Sequence, residues 1–173
     1  MGGLIVLLSE SLPIDKLILV DTMGITIKDS HYIKEGMKIG DITKLPWLNL
    51  CSKENLKQLM KEANYNTPYI PNFMLEHMVE KMCPLRKLMQ KKFSYLLDKN
   101  MRPADDLTDE IKNIKQETLI LWGKEDKGID VSSAYRMDEL IENSKLIVYD
   151  KCGHYPHVEK PKVVARDMAL FLG

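Results

Sequence analysis

Leu119-Ile120-Leu121-Trp122-Gly123-Lys124-Glu125-Asp126 and, further along, Lys151-Cys152-Gly153-His154-Tyr155-Pro156-His157-Val158-Glu159-Lys160-Pro161 are the two stretches whose reading decides the fold. Each follows a short apolar run of strand length and ends in a loop carrying a titratable side chain, Asp126 in the first and His154 in the second. An acid and a histidine presented this way are two members of a nucleophile–base–acid triad. The acid fixes the tautomer and orientation of the imidazole, and the imidazole takes a proton from a nucleophile.

Working outward from these loops, Thr118 to Trp122 and Lys145 to Tyr149 read as buried strands, with a helix from Asp130 to Ile141 between them. Lys162 to Leu172 carries Val163, Val164, Met168, Leu170 and Phe171, a closing amphipathic helix. Upstream, Lys16 to Asp21 (Lys-Leu-Ile-Leu-Val-Asp) is another near-continuous apolar run, as expected of a parallel strand covered on both faces. Before it, Leu4 to Leu8 reads as a short apolar helix ended by Pro13. Strand, helical insert, strand, helix, strand, helix is an α/β order that implies a parallel sheet with right-handed crossovers.

The insert, about Ile25 to Lys115, has a different character, rich in Met, Lys and Asn and punctuated by Pro46, Pro68, Pro71, Pro84 and Pro103. Helical spacing predicts Lys53 to Ala63, with Ser52 as N-cap, then Asn72 to Met82 and Leu85 to Leu97. The chain therefore divides into residues 1–24, core; 25–115, a helical cap; and 116–173, core with the acid and histidine loops.

With 45% hydrophobic and 29% charged residues, the composition is that of a globular protein with a sizeable core. Lys+Arg and Asp+Glu both number 25, and this zero balance argues against a nucleic-acid partner. Cys51, Cys83 and Cys152 are odd in number and widely spaced, so no disulfide framework or structural zinc site is expected and a reducing, cytoplasmic compartment fits. The start, Met-Gly-Gly-Leu-Ile-Val-Leu-Leu, lacks the basic region and cleavage site of a signal peptide.

Taken together, these features resemble the second half of an α/β-hydrolase, within which they are most similar to monoacylglycerol lipase-like serine hydrolases. The resemblance rests on Trp122-Gly123-Lys124-Glu125-Asp126, on Asp130-Val131-Ser132, and on Cys152-Gly153-His154 followed by Glu159 and Pro161. Met1-Gly2-Gly3 resembles the end of a G-x-S-x-G nucleophile elbow. The resemblance implies a partial hydrolase fold: three C-terminal parallel strands with flanking helices plus a helical cap, the N-terminal half of the fold being absent. It further implies a serine just upstream of Met1, the backbone amide of Met1 as an oxyanion-hole donor, His154 as base and Asp126 as its orienter. The implied substrate is a small acyl ester, with no metal or organic cofactor. Without its serine the isolated chain is expected to be inactive. A different class of role, a non-catalytic remnant binding lipid or protein, is the alternative.

Other residues are weighed against plainer roles. Asp130 is a helix N-cap before it is a triad acid. His157 suits a loop or pocket rim, and His31 and His77 suit the cap without chemistry. A Cys152–His154 nucleophile pair is disfavoured by the intervening Gly153, which marks a turn; a buried structural thiol is the default. Ser9 lies eight helical residues, about 12 Å, beyond Met1, so neither it nor Ser11 replaces the missing hydroxyl. Met60, Met74, Met78, Met82 and Met89 suit an acyl-chain pocket or the cap's own core equally. Arg86, Lys87, Lys91 and Lys92 read as a solvated face rather than a membrane contact. Leu17, Ile18, Leu19 and Val20 are expected to form an exposed sheet edge that self-associates or pairs with the missing half.

Overall fold

The computed structural model describes residues 14–25, 31–41, 44–96 and 107–173. Its centre is a parallel sheet in the order β1-β2-β3, formed by β1 (Lys16–Val20), β2 (Glu117–Gly123) and β3 (Ser144–Tyr149). Leu17 pairs with Thr118 and Val20 with Leu121 on one side of β2; Thr118 pairs with Ser144 and Gly123 with Tyr149 on the other. The middle position of β2 explains its sequence. Ile120 and Trp122 enter the core on one face of the sheet, Leu119 and Leu121 enter the core on the other, and all four are fully buried. A strand covered on both faces has no polar alternation to show.

On the first face lie α5 (Thr108–Lys112) and α6 (Ser132–Leu140), whose Ile111, Ala134 and Met137 are completely enclosed. On the second lies α8 (Pro161–Leu172), which packs Val164, Met168 and Phe171 against Leu119, Leu121 and Tyr149. Pro161 opens α8 at the one helical position where a missing N–H costs nothing. A single turn, α7 (Pro156–Glu159), connects the histidine loop to it.

Between β1 and β2 the chain forms α1 (His31–Ile39), α2 (Lys53–Ala63), α3 (Asn72–Met82) and α4 (Arg86–Leu96). The predicted N-cap is present: Ser52 Oγ accepts the Asn55 N–H at 3.1 Å. Leu45 and Leu48 centre a small separate core that includes Trp47, Met89 and Phe93, with the Trp47 and Phe93 rings edge-on at 5.2 Å. The methionines of the insert thus divide, Met89 filling this core while Met74 is 47% exposed on α3.

One expectation is overturned. Cys51 and Cys83 form a disulfide, joining the residue before the Ser52 N-cap to the C-terminal end of α3. Their separation of 32 residues is no local motif; the antiparallel α2–α3 hairpin brings their Cα atoms to 4.5 Å. The reducing compartment inferred from the cysteine spacing loses its basis with it. No helix among the described residues is long and apolar enough to cross a membrane.

Candidate active site

The loops after β2 and β3 are laid side by side by an extension of the strand pairing. Lys124 N–H donates to Tyr149 O at 3.0 Å, Glu125 N–H to Cys152 O at 3.0 Å, and Cys152 N–H to the Glu125 carboxylate at 2.9 Å. Gly123 permits this crossing, since a Cβ there would collide with the carbonyl oxygens of Gly153 and Cys152. The crossing sets two residues 28 apart in sequence face to face: His154 Nδ1–H donates to Asp126 Oδ2 at 2.8 Å.

Asp126 is built to accept that bond. Its other oxygen accepts the N–H groups of Gly128 (2.7 Å) and Ile129 (3.1 Å), and its side chain is fully enclosed while that of His154 is 27% exposed. A carboxylate fixed by two backbone donors presents one orientation to the imidazole. Because it can only accept, it assigns the hydrogen to Nδ1 and leaves Nε2 with its lone pair. The Tyr155 ring meets the imidazole edge-on at 5.0 Å.

Asp21, just beyond β1, bonds to the end of β2 next to the acid loop, and the sequence offered it only as the end of an apolar run. Its backbone is left-handed (φ 41°), and its Oδ1 accepts the Gly123 N–H at 3.0 Å. Oδ2 is buried with no hydrogen-bond partner. Burial above all, then the charge of Asp126, pushes the Asp21 carboxyl up to about 9, opposed by the Gly123 hydrogen bond. A neutral carboxylic acid therefore lies under the acid loop. The available signal was positional: an Asp at the carboxyl end of the strand beside β2.

The N-cap expected at Asp130 falls one residue later: Val131 holds that position on α6, and Asp130 Oδ1 just before it accepts both the N–H (3.0 Å) and the hydroxyl (2.6 Å) of Ser132. Cys152 is fully buried among Leu119, Leu121 and Val164, and burial foremost pushes its thiol up to about 12, so it holds no thiolate at neutral pH. His157 is exposed on α7 with its ring 6.1 Å from Tyr155, and His77 is exposed on α3, 3.9 Å from Glu80. Met1, Ser9, Ser11 and the His31 side chain lie outside the described residues. Among the described residues no group of three His, Cys, Asp or Glu is gathered to hold a metal.

Glu159 has a definite place that its motif did not reveal. Its Oε1 accepts the Gly153 N–H at 2.7 Å, and its Oε2 accepts those of Tyr65 (2.8 Å) and Asn66 (3.0 Å), just beyond α2.

An acid and a histidine paired across the carboxyl ends of adjacent parallel strands, with a helical insertion between the first two strands, is the layout of a hydrolase built on an α/β sheet. A family model described as the alpha/beta hydrolase fold matches residues 13–161, and the chain belongs to that family. It is 28% identical over 140 residues to monoacylglycerol lipase ABHD6 of Mus musculus, a match covering 81% of this chain and 41% of the relative. It is 29% identical over 119 residues to a 2-hydroxy-6-oxononadienedioate/2-hydroxy-6-oxononatrienedioate hydrolase of Pseudomonas putida, covering 69% and 41%. Among solved structures it resembles a bacterial membrane phospholipase A (TM-score 0.75, 25% identity, 92% of this chain and 49% of that one). It also resembles the meta-cleavage product hydrolase CumD of Pseudomonas fluorescens IP01 (TM-score 0.70, 25% identity, 91% and 55%). The chain thus spans 41% of the length of these curated relatives and 49% to 55% of the solved chains.

Proposed function

We propose that this chain carries the base and the acid of a serine ester hydrolase, with the insert of residues 25–115 as its cap. His154 Nε2 takes the proton from a serine hydroxyl as it attacks an acyl ester, then returns it to the leaving alcohol. Asp126 holds the ring and stabilises the imidazolium that forms between the two steps. The serine belongs to the sequence preceding Met1, and the Met1 amide is one oxyanion donor. The observation that carries this reading is the 2.8 Å His154–Asp126 bond, with the second oxygen of Asp126 held by two backbone donors. The substrate class, a small acyl ester, rests on the likeness to lipases.

On this reading the 173-residue polypeptide by itself turns over no ester through His154. Assay against a short p-nitrophenyl ester tests it: turnover by this chain that disappears in His154→Ala would show that a nucleophile is already present and refute the placement of the serine.

The partner in this reading is a parallel strand from the N-terminal half of the fold, seated on β1. Leu17 and Leu19 are buried while Ile18 and Val20 are half-buried, and among the described residues β1 pairs only with β2. A chain that sediments as a monomer and unfolds in one cooperative step without that half speaks against the need for such a partner.

A further inference from the structure

The histidine loop is joined to the helical insert through backbone groups and one carboxylate. His154 N–H donates to Ala63 O, in the last turn of α2, at 2.7 Å. Gly153 lies so close beneath this segment that a Cβ on it would strike the Ala63 carbonyl and come within 2.9 Å of Tyr65 N. Glu159 closes the junction. One turn beyond the histidine, it folds back to take the Gly153 N–H on one oxygen and the Tyr65 and Asn66 N–H groups on the other.

We propose that Glu159 is a positioning residue that fastens the C-terminal end of α2 to the loop of His154, so that this part of the insert and the base move as one body. A carboxylate suits the task where an amide does not. Three donors from two segments some ninety residues apart converge on two acceptor oxygens, and glutamine has only one, so it must release one segment or the other. Were the α2 end to lift, His154 would lose its amide partner and Gly153 the surface it rests on, and the imidazole would lose its alignment on Asp126. This deepens the reading of His154 as base and rests on it for its functional meaning, but its test is independent of turnover.

The test is hydrogen exchange by NMR on the full chain and on Glu159→Gln. In the variant the amides of Tyr65, Asn66, Gly153 and His154, together with the Nδ1 hydrogen of His154, exchange about ten- to a hundredfold faster, as for the loss of a charge-assisted hydrogen bond. The amides of Leu119 to Leu121 keep their protection. The proposal is overturned if Tyr65 and Asn66 are released while both His154 hydrogens keep wild-type rates, because the glutamate then holds the insert alone; it is overturned equally if nothing changes. Should the variant lose protection throughout, the wild-type chain decides: under graded urea the Tyr65, Asn66, Gly153 and His154 amides share one opening transition and one urea slope. A separate transition for His154 refutes the coupling. Ester turnover, measured apart in a chain joined to the serine-bearing half, tests the base assignment, so the failure of one is distinguishable from the failure of the other.

Discussion

Replacing Asp21 by asparagine should stabilise the protein at neutral pH, although it removes a buried, hydrogen-bonded side chain. In the unfolded chain Asp21 titrates near 3.8, whereas in the fold it is held up to about 9, so at pH 7 folding requires it to take up a proton. For an acid whose folded value is raised, the contribution is complete below 3.8 and lost as pH climbs toward 9. From 3.8 to 7, at about 1.4 kcal/mol per unit, the loss is on the order of 4 kcal/mol. Asparagine is neutral at every pH, keeps an oxygen for the Gly123 N–H, and tolerates the left-handed backbone at φ 41°. Its amide nitrogen takes the place of Oδ2, which already lacks a partner, so roughly 1 kcal/mol is returned as an unmet donor. The net expectation is roughly 3 kcal/mol of added stability at pH 7. Urea unfolding of both proteins from pH 4.5 to 9 measures it. The difference between the two curves isolates Asp21, because Asp150 and Asp167, which are lowered and so slope the other way, are common to both. The gap should widen steadily with pH; parallel curves, or a less stable variant at pH 7, would show that the fold holds Asp21 ionised and refute the reasoning.

Three further outcomes follow from the same geometry. In a chain joined to the serine-bearing half, Asp126→Asn should cut ester turnover about 10⁴-fold through the wrong imidazole tautomer, read as kcat with the protein still folded. Removing the Cys51–Cys83 bridge by reduction or by paired serine substitution should lower stability by about 3 to 4 kcal/mol, the loop-closure value for its separation of 32 residues, measured by urea unfolding with and without reductant. Gly123→Ala drives a Cβ into the Cys152 and Gly153 carbonyls and should cost at least about 3 kcal/mol, seen as a lower thermal midpoint; a variant as stable as wild type would mean that the two loops do not cross as described.

The strands were legible as apolar runs, with predicted bounds of 118–122 and 145–149 against Glu117–Gly123 and Ser144–Tyr149, although only β2 is buried along nearly its whole length, while β3 encloses Tyr149 alone. Helices of the insert were legible by the same means, Lys53–Ala63 and Asn72–Met82 matching the spacing of their apolar residues. The single turn Pro156–Glu159 was not, since four residues are too few to show a period. Nor was α5, Thr108–Lys112, whose five residues include one buried side chain, Ile111.

By itself the sequence determined the layer order, the family, and the two loops that carry Asp126 and His154, because an apolar strand run and the glycine-marked loop after it are written where they stand. Only the tertiary structure decided what meets across the sheet and across the insert. Asp21 reaches Gly123 over 102 residues, Glu159 reaches Tyr65 over 94, and Cys51 reaches Cys83 over 32. Apolar periodicity records that a face is buried but not which distant segment covers it. Hydrogen bonds and charge coupling depend on that partner within a few tenths of an ångström. The buried Asp21 carboxyl and the three N–H groups gathered on Glu159 are therefore products of the fold, carried by residues that are, in sequence, an ordinary Asp and an ordinary Glu.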